Sequence, residues 1–272
     1  MRTILHSKWI TSAVVILFIG IGTTHITGQT AIENPDSVIL NGNILYVGGS
    51  GLNNYTNIQD AVNDAENGDT VFVYNGNYTE NVKVDRTINL IGEDKYNTVI
   101  DGPGTGVSIS ADGVSVSGFT LTNSIWGGHG VAIHSKNNLI SDNIISSNND
   151  GISFYLEGYD NNIILNNTIF NNSHNGISIW YCNNSQVIGN TIFENGWSGM
   201  YISHARDGKI SGNIISSNID HGIRLTFSFG NNISGNSLIK NALSGIGLTY
   251  SVENDIYQNN FISNKMRNAA FM

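Results

Sequence analysis

Cysteine, proline and charge are all scarce in this sequence. A single cysteine, Cys182, among 272 residues excludes an intrachain disulfide, so stability has to come from packing and hydrogen bonding. Charged residues make up 12%, about half the usual share. The balance is acidic, with a formal charge of −9, and no basic stripe interrupts it, which argues against nucleic acid as a partner. The helix formers Ala, Leu, Glu and Lys do not dominate either. In their place stand 31 glycines, about forty asparagines and many Ile, Val, Ser and Thr, a composition that favours strands joined by tight turns.

Residues 1–30 differ from the rest. Arg2, His6 and Lys8 precede the apolar run "WITSAVVILFIGIG", and small and polar residues follow it. That order is expected of a secretory signal peptide or, uncleaved, of a membrane anchor, and either implies export. Residues 31–272 are then expected to form one domain. Six Asn-x-Ser/Thr sequons begin at Asn54, Asn77, Asn166, Asn171, Asn183 and Asn232, a weak pattern in so asparagine-rich a chain.

Aligned on "G-I-x-I", the chain repeats at Gly130, Gly151, Gly176, Gly199, Gly222 and Gly245. A period near 23 residues specifies a solenoid. Val131, Ile152, Ile177, Met200, Ile223 and Ile246 follow these glycines, and Ile133, Phe154, Ile179, Ile202, Leu225 and Leu248 stand two further on. Apolar residues two apart define a strand with one inward face. Two more apolar columns run from Ile140 to Ile256 and from Ile145 to Phe261. Asparagine columns accompany them at Asn143, Asn167, Asn190, Asn213, Asn236 and Asn259, and at Asn148, Asn172, Asn195, Asn218, Asn241 and Asn264. Stacked in register, such amides form ladders that fix each corner, and asparagine also tolerates the left-handed turn conformation. A leucine-rich horseshoe would need Leu at most core positions and room for a convex stretch. The Ile/Val core and the Gly, Asn and Ser between strands favour an all-β, right-handed parallel β-helix.

A solenoid end exposes a strand edge and needs a cap. In "TNIQDAVNDAENGD" (56–69), Thr56 and Gln59 have capping-box spacing, and Ile58, Ala61, Val62 and Ala65 share a helical face. An N-terminal capping helix is therefore expected, within an N-terminal cap over 44–105, with regular rungs over 106–268. "NKMRNAAFM" reads as no cap, so truncation, or a partner covering that edge, is expected there.

"YVGGSGLNNYTNIQDAVNDAENGDTVFVYNGNYTENVKV" resembles the opening segment of pectin-lyase-like β-helices. "NGISIWYCNNSQVIGNTIFENGWS" and the rungs around it resemble NosD-type β-helix repeats, the likeness extending from about Ile44 to Asn268. The resemblance implies an exported β-helix but not one activity, because such repeats carry sugar lyases, hydrolases, epimerases and plain surface proteins. "GNYTEN" (76–81) is similar to the first pectin methylesterase motif, without that family's later ones. "GGHG" (127–130) and "IRL" (223–225) resemble polygalacturonase motifs, without paired carboxylates between them.

Residues two and four after each glycine are expected to point outward, which sets Tyr155, Trp180 and Tyr201 on neighbouring rungs of one face, flanked by His134 and Arg224. An aromatic strip with polar neighbours suits sugar rings. The acid–base candidates are His129, Asp150, His174 and Asp220 near one edge. Tyr181, His204, Phe227 and Tyr250, five residues after the glycine, read as a stacked corner ladder. No cofactor is expected. Calcium is left open as an alternative, although it would need clustered acids and Asp142, Asp150, Asp160, Asp207 and Asp220 are scattered. No two histidines share a slot on adjacent rungs, and Met200 falls in a core column, so no copper site is expected. The expected function is an exported or cell-surface protein that binds a polysaccharide, a cell-surface glycan or a partner without catalysis. The alternatives are a lyase, hydrolase or epimerase acting on uronan-type glycans, and a structural surface spacer.

Overall fold

The computed structural model describes residues 42–124, 127–266 and the strand Ala269–Phe271. Residues 1–30, read above as an export signal or anchor, lie outside the described residues. Among those described, no helix is long and apolar enough to cross a membrane.

Three parallel sheets run the length of the solenoid. The first has ten strands, from Ile44–Val47 to Asp255–Tyr257; the second has nine, from Gly76–Tyr78 to Asn260–Ile262; and the third has nine, from Val82–Val84 to Ala269–Phe271. Each strand is only three to five residues long because its coil must turn three corners within one repeat. The register follows the sequence period: Gln186 pairs with Lys209, Thr191 with Ile214, and Met200 with Ile223. The three-sheet pattern starts at Thr70, so within 44–105 only the stretch through the helix lies before the first complete coil.

Inside, the apolar columns close on one another. Ile164, Val187, Ile192, Ile169, Ile177 and Met200 are all fully buried, each burial contributing roughly 1.5–3 kcal/mol. The repeat glycines leave room for that packing. A Cβ on Gly199 would meet the Gly222 carbonyl oxygen at 2.7 Å and the Asn218 amide nitrogen at 2.9 Å.

The asparagine ladders form as the spacing predicts. Along one corner Asn167 Nδ2 donates to Asn190 Oδ1 at 3.1 Å, Asn190 to Asn213 at 3.0 Å and Asn213 to Asn236 at 2.9 Å. The second ladder repeats this through Asn172, Asn195, Asn218 and Asn241. The left-handed turn residue is not the asparagine, however, but the one before it. Asp142, Asn166, Gly189, Gly212, Gly235 and Gln258 have φ between 54 and 67° at one corner, and Ser147, Asn171, Glu194, Ser217, Lys240 and Ser263 between 51 and 59° at the other. The kink turns the next side chain inward, where its amide reaches backbone as well as its neighbour. A further ladder, Asn138 to Asn162 and Asn231 to Asn254, closes the remaining corner.

The helix Ile58–Asp64 buries Ile58, Ala61 and Val62 and lies against the first strands, as a cap should. The expected capping box does not form. Asn57 is the N-cap and its side chain makes no cap bond; the free N–H groups of Ile58 and Gln59 instead donate to the two carboxylate oxygens of Glu80 at 2.8 and 3.0 Å. A carboxylate at a helix N-terminus satisfies both donors and the local partial charge at once. Gln59 turns away to Asn63 and Lys83.

Candidate functional site

The third sheet carries the varying outward residues. Tyr155 and Trp180 occupy one outward column and Tyr201 and Arg224 the neighbouring one, because Tyr201 pairs with Ser178 on one side and Arg224 on the other. Small residues fill the intervening slots. Ser153, Ser178 and Ser203 point outward as predicted, yet each is only 1% exposed, since the large rings lean over them. The aromatic face is therefore half-buried rather than open.

Beyond the corner that precedes these strands, the chain builds an opposing wall. Asn149, His174, Trp197 and Asp220 occupy successive turns, linked in order by backbone bonds of 2.8, 2.9 and 3.0 Å. The His174 and Trp197 rings stack at 4.1 Å and 20°, with Trp197 53% exposed. Between wall and strip lies a trough of about 340 Å³, lined by Asp150, Tyr155, Trp180, Trp197, Tyr201 and Asp220 among others.

Hydrogen bonds run along its floor. The Asn175 N–H donates to Asp150 Oδ1 at 2.9 Å, the Ser198 N–H to Asn175 Oδ1 at 3.1 Å, and the Ser198 hydroxyl to Asp220 Oδ2 at 3.0 Å. The rings above are fixed as well. Trp180 stands edge-to-face with Tyr201, centroids 5.2 Å apart at 69°, and the Arg224 guanidinium lies 5.6 Å over the Tyr201 ring. Tyr201 thus spends a face on Arg224, while Trp180 meets Tyr201 and Tyr155 at steep angles and stacks flat on neither ring.

The two ends of the trough hold carboxylates in different company. At one end the Tyr155 hydroxyl donates to Asp150 Oδ2, and His129 Nδ1 lies 3.8 Å from the same oxygen, beyond hydrogen-bond reach. At the other, Asp220 faces Arg224 Nη1 at 3.6 Å and His221 Nε2 at 3.7 Å. Burial lowers the pKa of both His129 and His221, outweighing the raising effect of the adjacent aspartates. Desolvation, with the Asp150 charge, pushes the Tyr155 phenol well above its ordinary value. His221 fits only because its neighbour is glycine: a Cβ on Gly247 would meet the imidazole at 2.7–3.0 Å.

Acid–base candidates and aromatic strip, read separately from the sequence, share this trough. Asp150, His174 and Asp220 line it together with Tyr155, Trp180, Tyr201 and Arg224, and His129 stands behind Asp150. His134 does not join them; it is exposed and meets Tyr159 edge-on at 6.1 Å. Sequence reasoning missed Trp197, Asn149, Asn175 and Ser198, and set Ser178 on the outward face without assigning it to a site. The available clue was that His174 and Trp197 occupy the same turn slot one repeat apart. Tyr181, His204, Phe227 and Tyr250 stack at 4.6, 5.0 and 5.0 Å, each with a left-handed backbone. Their faces are consumed by one another, as the corner-ladder reading anticipates.

A model of the family described as periplasmic copper-binding protein (NosD) matches residues 62–244, about two thirds of the chain. The chain belongs to the NosD family. No curated protein matches it. Among solved structures, this NosD-family chain is similar to pectate lyase Pel9A, with 14% identity, a TM-score of 0.63, and coverage of 85% of this chain and 77% of the lyase. It is also similar to the periplasmic alginate epimerase AlgG, with 16% identity, a TM-score of 0.61, and coverage of 74% and 52%. The Dettilon tailspike protein matches at 15% identity and a TM-score of 0.61, with coverage of 79% and 54%. The chain thus spans about half the length of the epimerase and of the tailspike. These likenesses show a right-handed parallel β-helix and carry no activity with them.

The family description raises copper directly. Among the described residues no three His, Cys, Asp or Glu side chains converge as a metal site would require. Cys182 is buried, its thiol pushed up to about 12 by desolvation and the nearby Asp160 charge, and Met200 is core. The described residues do not fit a resident copper ion.

Proposed function

We propose that this protein binds a polysaccharide in the trough, outside the cytoplasm and without turning it over. The observation that carries the reading is the trough itself: aromatic side chains on two sides of a polar, hydrogen-bonded floor. Sugars present apolar C–H faces and a rim of hydroxyls, and this surface offers partners for both. Solved β-helices similar to the chain include a pectate lyase and an alginate epimerase, which supports a glycan as the ligand class. The description of the family as periplasmic and the export-type pattern of residues 1–30 support the location.

A glycan array with wild type and Trp180→Ala tests the reading. We expect wild type to retain at least one polysaccharide and the variant to lose tenfold or more in affinity, about 1.4 kcal/mol. A folded wild type that binds no glycan on the array would sink the proposal and leave the surface-spacer reading standing.

One observation favours a second reading, a lyase, hydrolase or epimerase acting on uronans. Asp150, His174 and Asp220 line one cavity, with His129 3.8 Å from Asp150, and positioned acid–base groups are what such reactions require. Assays for unsaturated products and reducing ends on uronan substrates separate the two. Turnover by wild type that disappears in Asp150→Ala would replace binding with catalysis.

A further inference from the structure

Each end of the trough sets a carboxylate beside an aromatic ring, and the two differ in the cation that accompanies it. At the Asp220 end, a carboxylate and an aromatic face hold a cation: Arg224 lies 3.6 Å from Asp220 Oδ2 and 5.6 Å over the Tyr201 ring. At the Asp150 end, a carboxylate and aromatic rings hold none. Asp150 is only 5% exposed and, among the described residues, has no Lys or Arg within ion-pair distance. Its nearest basic group, His129 Nδ1, is 3.8 Å away and without a hydrogen-bond partner. Burial lowers the pKa of that imidazole, outweighing the raising effect of the Asp150 charge.

A carboxylate has about four lone-pair sites. Two donors reach Asp150, the Tyr155 hydroxyl on Oδ2 and the Asn175 N–H on Oδ1, so acceptor capacity remains at a shielded anion that lines the cavity. Tyr155 and Trp180 stand beside it with ring centroids 6.2 Å apart. A nearly buried carboxylate lacking a counter-charge is costly, and aromatic faces next to it attract a cation.

We infer that the trough takes a glycan containing a free amino sugar, whose ammonium sits against Asp150 beside Tyr155 and Trp180. This rests on the glycan-binding reading and narrows its substrate class. Uronates are disfavoured by the same inventory. Among the described residues Arg224 is the one guanidinium or ammonium lining the trough and is already paired with Asp220, so an added carboxylate meets Asp150 and a chain of net charge −9.

Titration calorimetry on the full chain with three probes of equal length tests it: glucosamine oligomers, their N-acetylated counterparts and oligogalacturonate. The first two share a ring and differ in charge at one nitrogen. We expect the free amine to bind about tenfold or more tighter than the acetylated oligomer, with oligogalacturonate weakest. Asp150→Asn should bring the two glucosamine forms within about twofold of each other. High salt should weaken wild-type binding of the free amine more than that of the acetylated form, a readout that stands even where the variant does not fold. Equal or tighter binding of the acetylated or uronate probe overturns the inference while leaving glycan binding intact. An amine preference that survives in folded Asp150→Asn also overturns it. Failure of all three probes, together with the wider array, refutes the glycan reading itself.

Discussion

The asparagine ladder makes a prediction whose size can be worked from single contacts. Asn190 is fully buried, and its side chain makes five hydrogen-bond contacts, the two Nδ2 hydrogens being shared among three acceptors. Its Oδ1 accepts from Asn167 N at 2.8 Å and Asn167 Nδ2 at 3.1 Å. Its Nδ2 donates to Ile164 O at 2.9 Å, Ile188 O at 3.1 Å and Asn213 Oδ1 at 3.0 Å. In Asn190→Ala several partners keep other bonds. Asn167 Nδ2 still reaches Ile140 O, Asn213 Oδ1 still accepts from Asn190 N, and Ile188 O still accepts from Asn166 N. The Asn167 N–H loses its side-chain acceptor in a buried corner, and Ile164 O loses a donor. At roughly 1–3 kcal/mol for each group left unsatisfied, the cost is about 3 kcal/mol. That corresponds to a fall in Tm of about 6–12 °C for a domain of this size. Asn259 is only half-buried, and among the described residues its Nδ2 donates to the Ile233 and Tyr257 carbonyls and to no asparagine, so in this chain Asn259→Ala should cost about 1 kcal/mol. Differential scanning calorimetry of both variants is the assay, because solenoid stability is a sum over neighbouring coils and denaturant curves need not be two-state. An interior cost below about 1 kcal/mol, or equal costs at the two positions, would refute the view that the amides hold the corners.

Gly199→Ala forces a Cβ onto the Gly222 carbonyl and should cost about 2–3 kcal/mol. Gly212→Ala meets nothing nearer than 3.9 Å and pays only for its left-handed φ of 66°, about 1 kcal/mol; equal melting temperatures would contradict the packing argument. His129 and His221 have folded pKa values below the usual 6.5. The stability this represents is complete above that value and is lost as pH falls below it towards the folded values, since the unfolded chain then binds protons the folded one refuses. Tm should therefore decline from about pH 7 to pH 5, and less steeply in a His129→Gln/His221→Gln variant; identical slopes would refute the assignment. Cys182, 1% exposed with its thiol pushed up to about 12, should resist a thiol reagent at mildly alkaline pH in the native protein and react once the chain is unfolded. Rapid labelling of the native protein would contradict its burial.

Much of the frame was legible because the period makes residue i and residue i + 23 physical neighbours. Once Gly199 aligns with Gly222, the register Met200 to Ile223 and the ladder Asn190 to Asn213 follow from counting. What escaped was of two kinds. Long-range partnerships leave no local pattern, as when Glu80 caps a helix beginning at Ile58 in place of Thr56 and Gln59. Shape around the corners escaped as well. The strand alternation gives the facing of Trp180 and Tyr201, but alternation stops at a turn, so nothing in it sets Trp197 and Asp220 opposite them. The half-burial of the strip has the same origin, because it depends on how far a ring leans over Ser178 or Ser203. Several residues lining the candidate trough were thus named in advance, and its concavity was not.

Among the described residues the floor and walls of the trough come from short strands and from tight corners held by amides, so these segments have little freedom to fold over a visitor. A glycan bound as proposed would then spend no binding energy ordering these strands and corners. Arrival should be governed by encounter and departure by the number of contacts that must break together. Substitutions along the aromatic strip should then change how long a chain stays far more than how often it lands.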